Sequence, residues 1–443
     1  MHIAVIGAGI VGVTTAYELA SDGHQVTVFE RRGSVAAEAS FANAGVVAPG
    51  YVTPWAAPGM RGKVLYMLAS RHSPVRVHPT LDPATLGWMW RWWRSCDPAT
   101  WQANRAAMQA LAQYSRARLH ELVARLKLEY ERHDGYLVLL RTAQDLKLAR
   151  PALKTLAEAG VRFHLLDAQR CREIEPDLNP ETPLQAGIHL ADAEVGNCRQ
   201  FANLLRSEAQ RAGVSFVFHS HVDRIEPGAS PRVVQRNVSV GENTRLSQAD
   251  DLFDATRPLA DDGTHDSFDA VVVCAALGAG ALLRPHGLKL PLQPVYGYSI
   301  TAPMRQHHGH PDHGPRSALM DERYKVAISR IGNRVRVAGS AEIGGAADRI
   351  NPASLETLYK VLHDWYPGVA HLSQVQRWKG ARPMLPDGPP VLGASGLPGI
   401  WLNLGHGSSG WALACGSARV LADCIGGRPA AVDLTRLGAD RWR

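Results

Sequence analysis

The sequence predicts an α+β protein with a nucleotide-binding domain and a second domain built on an antiparallel sheet. Three observations support this prediction. The chain has 443 residues, which is too many for one compact core. A glycine-rich turn at residues 7–12 joins an apolar run to a helical pattern. Residues 291–301, 324–330 and 335–339 alternate between apolar and polar side chains, as strands of an antiparallel sheet do.

The first elements are a strand, a glycine turn and a helix. His2 to Ile6 is a short apolar run, and Val13 to Ala20 continues as a helix. The first glycine allows a tight turn, the second leaves room for a pyrophosphate and the third lets the helix pack on the strand. The diphosphate is expected at the positive end of the helix, although an ordinary tight turn is the alternative. The predicted Rossmann-type site comprises Ile6, Gly7, Ala8, Gly9, Ile10, Val11 and Gly12.

A second apolar run, Gln25 to Phe29, ends at Glu30. The acid follows the glycines by about twenty residues, which is the spacing of the carboxylate that binds a ribose diol. A carboxylate there repels a 2′-phosphate and so argues against NADP. The next loop contains small residues that let the backbone donate to phosphate and flavin atoms, although it could also be a plain loop. These residues are Ser40, Asn43, Ala44 and Gly45.

Charge and composition exclude several classes of protein. The formal net charge is +7, but basic residues are scattered and no nucleic-acid-binding signature occurs, so nucleic acid is not an expected partner. The six cysteines form no CxxC pair, which indicates neither a zinc site nor a disulfide framework and favours a reducing compartment such as the cytoplasm. No run approaches the roughly 18 apolar residues of a spanning helix, so any membrane contact is expected to be peripheral.

Residues 83–126 have a helical pattern rich in tryptophan. Apolar residues recur every three or four positions, which predicts a helix packed inside the second domain. An aromatic belt at a membrane interface is the alternative. The residues that carry the pattern are Leu86, Met89, Trp90 and Trp93, followed by Met108, Leu111, Leu119 and Leu122.

The remaining elements alternate between strands and helices. The polar stretch 226–266 is expected to be a surface excursion with at most a hairpin. The buried strand 268–277 ends at Gly278, a second place where backbone can approach the nucleotide. The closing helix is expected to direct its amino end at the pyrimidine side of a flavin, where it would stabilise negative charge. The other predicted elements are strands Tyr136 to Leu140, Val214 to Phe218, His221 to Ile225 and Ile400 to Leu404, helices Cys198 to Ala212 and Gly410 to Ile425, and the turn Gly405-His406-Gly407.

Seven segments, in this order, carry a resemblance to a known family. They are SxxNAG, APGYVTPWAAPG, WMWRWW, GYSIT, DERYKVAISR, WKGARPMLPDGPPVLG and LNLGHGSSGWALACGSA. The chain resembles the bacterial D-amino acid dehydrogenases, within the wider group of glycine, sarcosine and D-amino acid oxidases, over nearly its whole length. The resemblance implies a glycine oxidase-like and D-amino acid oxidase-like fold and non-covalent FAD. It also implies oxidative deamination of a D-amino acid to a 2-oxo acid and ammonia, with electrons passed to a quinone or another carrier.

The resemblance also implies a domain division and a set of cofactor contacts. The FAD-binding domain is expected at 1–82, 190–285 and 376–443, and the substrate domain at 83–189 and 286–375. The resemblance places the backbone of Val222 near the adenine. Besides the glycine turn, the expected FAD contacts are Glu30, Arg31, Ser40, Asn43, Ala44, Gly45, Val222, Gly278, Gly405, His406, Gly407 and Ser408.

The chemistry requires few protein groups. A flavin accepts the hydride, so the protein has to hold the substrate Cα–H against the ring. The substrate carboxylate is a constant handle, and an arginine fork is its best partner. The resemblance places Arg382 there, although without the family an arginine in this setting is more often a surface salt bridge. Tyr298 and Tyr324 are candidates to donate a hydroxyl to the same carboxylate or to line the pocket, or are ordinary sheet residues; Tyr51 is a weaker candidate.

Some patterns point elsewhere or leave questions open. Tyr296 stands where the family has lysine, so substrate range and electron acceptor stay open. The histidines at 307, 308, 310 and 313 lie in a Pro- and Gly-containing loop without ligand spacing, so no metal is expected. GHGSSG does not fit the GxSxG elbow of hydrolases. The rival functions are an enzyme for sarcosine, glycine or D-hydroxyproline, and a non-catalytic FAD-binding protein.

Overall fold

The computed structural model describes residues 1–62, 72–238, 264–305 and 313–442. The strands are β1 His2–Ile6, β2 Gln25–Glu30, β3 Val46–Val47, β4 Val75–Val77, β5 His133–Leu140, β6 His164–Asp167, β7 Ala186–Val195, β8 Ser215–Phe218, β9 Ser220–Glu226, β10 Arg232–Asn237, β11 Thr264–Ser267, β12 Ala270–Val273, β13 Gln293–Pro303, β14 Ala318–Asp321, β15 Val326–Ile331, β16 Arg334–Ile343, β17 Gln376–Met384, β18 Val391–Ala394 and β19 Ile400–Leu404. The helices are α1 Ile10–Ser21, α2 Pro83–Ser95, α3 Pro98–Leu126, α4 Ala143–Glu158, α5 Ala168–Ile174, α6 Cys198–Arg211, α7 Ala279–Leu283, α8 Pro352–Trp365 and α9 Gly410–Ile425.

The first sheet has six strands in the order β18-β19-β12-β1-β2-β8. The five strands from β19 to β8 run parallel, and β18 is antiparallel to β19. Helix α1 follows β1 directly and packs against α6 and α9. The predicted strand, glycine turn and helix are therefore confirmed, and the helix begins at Ile10, three residues before the predicted start, because Gly9 is its N-cap.

A buried carboxylate connects three helices on one side of this sheet. Glu18 of α1 is completely buried. Arg118 of α3 donates to both its oxygens at 2.7 Å, and Arg419 of α9 donates to Oε2 at 2.8 Å. Each guanidinium contacts a second acid, Arg118 with Glu121 and Arg419 with Asp22. Charge on these three helices is thus compensated within the core, as buried ions require.

The second sheet has ten strands, with the main path β17-β13-β16-β15-β14-β5-β7-β3. β4 pairs with β16, and β6 pairs with β7. Most neighbours are antiparallel, so the predicted antiparallel sheet and the α+β class are confirmed. The strands predicted at 291–301, 324–330 and 335–339 form with shifted ends, because a strand extends as far as its neighbours offer hydrogen bonds.

The expected division into two domains stays a prediction, but three elements lie apart from their expected partners. β17 pairs with β13 in the second sheet, although it falls within the expected FAD-binding segment. Most of β7 also falls within the expected FAD-binding segment, but this strand pairs with β5 in the second sheet. Helix α3, expected in the substrate domain, packs against α9 and shares a core with α1. The positions of these three elements depend on strands and helices that are distant in the chain, so the local sequence pattern does not indicate them.

The prediction of one packed helix over 83–126 is wrong in two respects. The helix breaks before Pro98, whose preceding residue, Asp97, adopts an extended conformation and caps α3. Three of the four residues of the predicted packing face of α2 are also exposed, Leu86 by 46%, Trp90 by 63% and Trp93 by 43%, whereas Met89 is partly buried and packs against the core that contains Trp88. Trp88 is the buried tryptophan instead, with its indole Nε1 donating to the carbonyl of Met384 at 3.0 Å. In α3, by contrast, Met108, Leu111, Leu119 and Leu122 are all buried as predicted.

The polar excursion contains β10 and β11, which pair with each other and extend β9 into a three-stranded sheet. Residues 239–263 of the excursion lie outside the described residues. So do His307, His308 and His310, whereas His313 is described and places Nδ1 3.4 Å from Asp177. The strand predicted at 268–277 is shorter than expected: β12 ends at Val273, and a 3₁₀ turn, Ala276–Gly278, follows.

Candidate active site

A cavity of about 2010 Å³ is lined by residues of both sheets. All the predicted site residues line it, except Ala8 and Gly12, which lie in the glycine turn behind the wall. The amino-terminal glycine turn, the small-residue loop, the carboxy-terminal glycine turn and Arg382 therefore border the same space. The sequence places these segments up to about 400 positions apart, and the fold brings them together.

Each of the three glycines in the amino-terminal turn is required for a different structural reason. Gly7 has φ 101°, and a Cβ there would lie 2.8 Å from the carbonyl oxygen of Cys274. A Cβ on Gly12 would lie 1.8 Å from the carbonyl oxygen of Gly7. A Cβ on Gly9 would meet nothing closer than Ser40 Oγ at 3.7 Å. Gly7 and Gly12 thus allow close packing, and Gly9 leaves backbone open to the cavity, as a pyrophosphate requires.

The carboxylate of Glu30 is held in place by the backbone. Its Oε2 accepts from Ala8 N at 2.7 Å, and its Oε1 accepts from Arg32 N at 2.8 Å. Burial raises the pKa of Glu30, and the neighbouring carboxylate of Glu38 raises it further. Arg31, a predicted FAD contact, places Nη2 2.6 Å from Glu38. Each oxygen of Glu30 still has a lone pair for a ribose hydroxyl, so the group fits the predicted diol contact.

The small-residue loop is tied to both sheets. Ser40 Oγ accepts from Ile10 N at 3.1 Å, at the start of α1. Asn43 Oδ1 accepts from Gly45 N at 3.0 Å, and Gly45 has φ 76°. From the second sheet, Ser299 Oγ donates to the carbonyl of Ala42 and Ser329 Oγ donates to that of Ala44. The loop is therefore rigid backbone that faces the cavity.

The carboxy-terminal turn, Gly405 to Ser408, leads into α9. Gly405 has φ 75° and Gly407 has φ 55°. His406 is 4% exposed, its Nε2 lies 3.1 Å from Ser417 Oγ, and burial lowers its pKa to about 3, so its imidazole is neutral. The N-cap of α9, Ser409, makes no side-chain capping bond, which leaves the positive helix end available near the cavity.

The two other predicted cofactor contacts border the same cavity. Val222 on β9 is 7% exposed, and Gly278 ends the 3₁₀ turn after β12. The set as a whole fits FAD: an open glycine backbone for the pyrophosphate, an oriented carboxylate for a ribose, and two rigid small-residue segments for the ring system. The role of each residue stays a prediction.

Arg382 lies on β17, facing the cavity. Its Nη1 donates to the carbonyl of Ser340 at 3.0 Å, and its guanidinium carbon lies 5.9 Å from the ring of Trp55. It forms no ion pair with any residue in the described ranges, and burial lowers its pKa to about 10. The alternative interpretation of Arg382, a surface salt bridge, is therefore not supported by the described residues. The guanidinium remains charged at neutral pH and can accept an anion from the cavity.

Tyr298 lies close to Arg382, but its hydroxyl already has partners. Tyr298 is 1% exposed, its hydroxyl donates to Glu342, and it accepts from Asn351 N at 3.3 Å. Burial first, and Glu342 second, raise the pKa of the tyrosine. Glu342 also contacts Lys379 Nζ at 2.9 Å. The hydroxyl of Tyr298 is therefore held by Glu342 and Asn351 at the cavity wall, and its role towards a substrate stays a prediction.

The other two predicted tyrosines lie further along the sheet. Tyr324, in the turn after β14, stacks near Arg141, whose guanidinium carbon is 5.0 Å from the ring. Tyr51 packs edge-on against Tyr136 of β5 at 5.6 Å, and burial raises its pKa. β5 is five strands from β17 in the order of the second sheet. Tyr51 and Arg382 line the same cavity, and the role of Tyr51 towards the substrate stays a prediction.

Several cavity residues were not among the predicted contacts. Gly297, Ser340, Lys379 and Trp411 all line the cavity. Lys379 Nζ lies 4.2 Å from the ring of Tyr296 and donates to the carbonyls of Ala346 and Arg349. The neighbouring strand therefore supplies an ammonium group beside Tyr296, the position where the resemblance led us to expect lysine. Only the pairing of β13 with β17 reveals this.

Metal binding and membrane crossing have no candidates in the part of the chain that the structure describes. Among residues 1–62, 72–238, 264–305 and 313–442, no group of three or more His, Cys, Asp or Glu is arranged to hold a metal. Within the same ranges no helix combines the length and apolar character needed to cross a bilayer.

Comparison with known proteins gives consistent matches over the whole chain. A family model described as FAD dependent oxidoreductase matches residues 2–424. The D-amino acid dehydrogenase of Cereibacter sphaeroides is 41% identical over 444 residues, covering 100% of this chain and 95% of the relative. That of Rhizorhabdus wittichii is 40% identical and both chains are covered completely. The glycine oxidase structure from Geobacillus kaustophilus has a TM-score of 0.69 at 20% identity, covering 99% of this chain and 97% of the other, and supports the fold alone.

Proposed function

Because the chain belongs to the family of FAD-dependent oxidoreductases, we propose that it oxidises D-amino acids to 2-oxo acids and ammonia, with FAD as cofactor. Full-length relatives at about 40% identity bear the name D-amino acid dehydrogenase. The observation that carries the proposal is Arg382, a cation without an ion pair in the described structure at a cavity fitted for a flavin. A substrate carboxylate would form an ion pair with this guanidinium.

Each segment of the cavity wall has a proposed task. The glycine turn and the start of α1 would bind the pyrophosphate, and Glu30 would bind a ribose diol. Residues 43–45 and 405–408 would hold the ring system. When bound, FAD supplies a two-electron acceptor for the hydride of the substrate Cα.

The chain's own residues orient the substrate and control charge. Arg382 would bind the acid group and so fix the orientation of the substrate Cα–H bond. The reacting atoms would then meet in a defined geometry and not by random collision. His406 is neutral, so it adds no charge beside the turn, and the positive end of α9 favours negative charge there. The imino acid product reacts with water, which releases ammonia and the 2-oxo acid. No general base is required of the protein if the amine enters uncharged.

We also propose a quinone or similar carrier as electron acceptor, reached at the cytoplasmic face of the inner membrane. The support is an apolar patch on and beside α2. Its members are at least 43% exposed, and two exposed arginines, Arg91 and Arg94, lie among them. Such a surface suits the headgroup layer of an anionic membrane. The patch comprises Leu81, Leu86, Trp90 and Trp93.

Stereochemistry and acceptor are tested on the holoprotein without oxygen. D-amino acids should bleach the visible absorbance of the oxidised flavin, and a quinone analogue should restore it. Bleaching by L isomers alone would contradict the proposal. Bleaching by sarcosine or glycine in preference to D-amino acids would favour the rival substrates, and no bleaching by any amine would favour a non-catalytic FAD protein.

Arg382→Lys provides the test of the carboxylate contact. A lysine loses the two parallel hydrogen bonds of the fork, so KM for a D-amino acid should rise about 10- to 100-fold. The FAD content should stay the same. Arg377→Lys, an exposed position on the same strand, is the matched control and should leave KM unchanged. An unchanged KM in Arg382→Lys would remove this residue from the site.

A further inference from the structure

Ser340 departs from ordinary sheet geometry in three ways. It has φ 60°, although it is not glycine. Its hydroxyl is buried and has no hydrogen-bond partner among the described residues. It also lies in a β-bulge, because Gly339 pairs with Tyr298 and Glu342 with Tyr296, so that Ser340 and Ala341 both face Gly297. Left-handed backbone at such a residue costs about 1–3 kcal/mol, and both strain and bulges concentrate at functional sites.

The bulge changes what the carbonyl of Ser340 can do. In a regular ladder the carbonyls of an inner strand accept from neighbouring strands. At Ser340 the carbonyl oxygen instead accepts from Arg382 Nη1 at 3.0 Å. The irregular backbone thus provides an acceptor for one edge of the guanidinium.

Gly297 provides the space for the same group. A Cβ on Gly297 would lie 2.3 Å from Arg382 Nη2, 2.5 Å from Cζ and 2.9 Å from Nη1. The guanidinium therefore lies directly over the Cα of Gly297. The φ angle of Gly297 is outside the left-handed range, so the backbone of β13 does not require glycine there. The position of Arg382 requires it.

We propose that Gly297 and the Ser340 bulge are positioning elements that make the cavity selective for a carboxylate. The inference rests on the proposed function for the identity of the substrate, a D-amino acid. Of the five N–H donors of Arg382, one is engaged by Ser340, and the fork lies against Gly297. Two of the remaining donors suffice for a bidentate carboxylate. A neutral amide of the same size offers one acceptor oxygen and no charge, so the site discriminates against it.

The charge balance points to the same ligand class. Arg382 is half-buried at the cavity wall and has no carboxylate partner in the described structure. A cation that is removed from water without a counter-ion costs free energy of desolvation. Loss of the Ser340 carbonyl as its acceptor increases this cost. A small monoanionic acid relieves it. Ser340 and Gly297 keep the fork in the orientation that accepts this ligand.

The experiment uses the FAD-loaded protein and Gly297→Ala. Calorimetric titration with butyrate, an acid that lacks the amine, should show affinity weakened at least tenfold. KM for D-alanine should rise by a similar factor with a smaller change in kcat, whereas kinetics with D-alaninamide should change less than threefold. Gly228→Ala is the control, since a Cβ there meets nothing nearer than 3.9 Å. FAD content and melting temperature of each variant establish that it is folded.

Ser340→Gly is the second variant, because it adds no atoms and relieves the left-handed strain. We expect a higher melting temperature together with weaker butyrate binding, since the carbonyl is held less firmly. Equal losses for acid and amide in Gly297→Ala, or unchanged butyrate affinity in both variants, would overturn the inference. If the wild type binds butyrate but oxidises no D-amino acid, the proposed function fails and the positioning of Arg382 stands. If the wild type does not bind butyrate, the inference fails.

Discussion

At the scale of single residues, two side chains of the cavity wall differ in charge: Arg382 is a cation and His406 is a neutral imidazole. Arg382 keeps its charge without an ion pair in the described structure, and His406 loses its charge because burial lowers its pKa to about 3. The difference follows from intrinsic basicity: an arginine retains its proton under conditions where a buried imidazole releases it. The site therefore attracts an acid without placing a second positive side chain at the carboxy-terminal turn.

His406 makes stability depend on pH. Its pKa is about 3 in the folded state, against 6.5 for an ordinary solvated histidine, so between these values the unfolded chain binds more protons. The contribution is complete above pH 6.5 and is lost as the pH falls towards 3. Between about pH 7 and pH 4.5 the loss should be on the order of 2–3 kcal/mol. Urea unfolding of wild type and His406→Gln at the two pH values measures it.

The comparison between variant and wild type isolates this residue from other titrating groups. His406→Gln should lose less stability on acidification than the wild type does. His371→Gln, at an exposed position, should behave like the wild type. Identical pH profiles for all three proteins would show that His406 is not held neutral in the fold.

At the scale of elements, helices α1, α3 and α9 are joined through Glu18. The carboxylate is completely buried, and the two arginines that it contacts are 11% exposed in their side chains. Removing the acid would leave two guanidiniums only partly compensated, by Glu121 and by Asp22 with Asp423. The network positions α9, whose amino end borders the cavity, relative to α1, which begins at the glycine turn.

Glu18→Gln should lower the free energy of unfolding by about 3 kcal/mol, because breaking a buried ion pair leaves an uncompensated charge. Glu121→Gln is the control, since that carboxylate is 58% exposed and contributes less than about 1 kcal/mol. Equilibrium urea denaturation of the FAD-loaded proteins gives both values. Equal stability of Glu18→Gln and wild type would mean that packing alone holds the three helices.

At the scale of the whole molecule, the apolar patch of Leu81, Leu86, Trp90 and Trp93 lies on a chain of net charge +7. Both features favour an anionic lipid surface, the patch through apolar burial and the charge through attraction. Behind the patch, the buried indole of Trp88 donates a hydrogen bond to the carbonyl of Met384. The exposed parts of the Trp90 and Trp93 indoles are therefore available for contact, with Arg61 lying over the ring of Trp93.

The double variant Trp90→Ser and Trp93→Ser should bind vesicles containing phosphatidylglycerol at least tenfold more weakly than the wild type, because each buried indole contributes on the order of 1–2 kcal/mol. Sedimentation with the vesicles measures the affinity. Leu372→Ser, 50% exposed outside the patch, is the control and should bind as the wild type does. Equal binding of the double variant would contradict the proposed membrane contact.

Local sequence was sufficient where neighbouring residues carry the whole geometry. The helix after the glycine turn, the acid at Glu30 and the turn before α9 each contact residues within about thirty positions, although β1 and Gly7 also pack against residues 270–274. The family, the fold class and FAD likewise followed from motifs that stand in the same order in related chains. These predictions succeeded because short-range sterics and glycine geometry decide them.

Only the tertiary structure decided how distant strands meet. Arg382 lies over Gly297 because β17 pairs with β13 in one register, and a shift by one residue would turn the arginine to the other face. The exposed residues of α2 and the hydrogen bonds of the Tyr298 hydroxyl have the same origin. The periodicity of a segment shows which residues are apolar but not which other segment packs against them. The binding of the acid by Arg382 and the selectivity for a carboxylate therefore depend on how the strands assemble into the sheet.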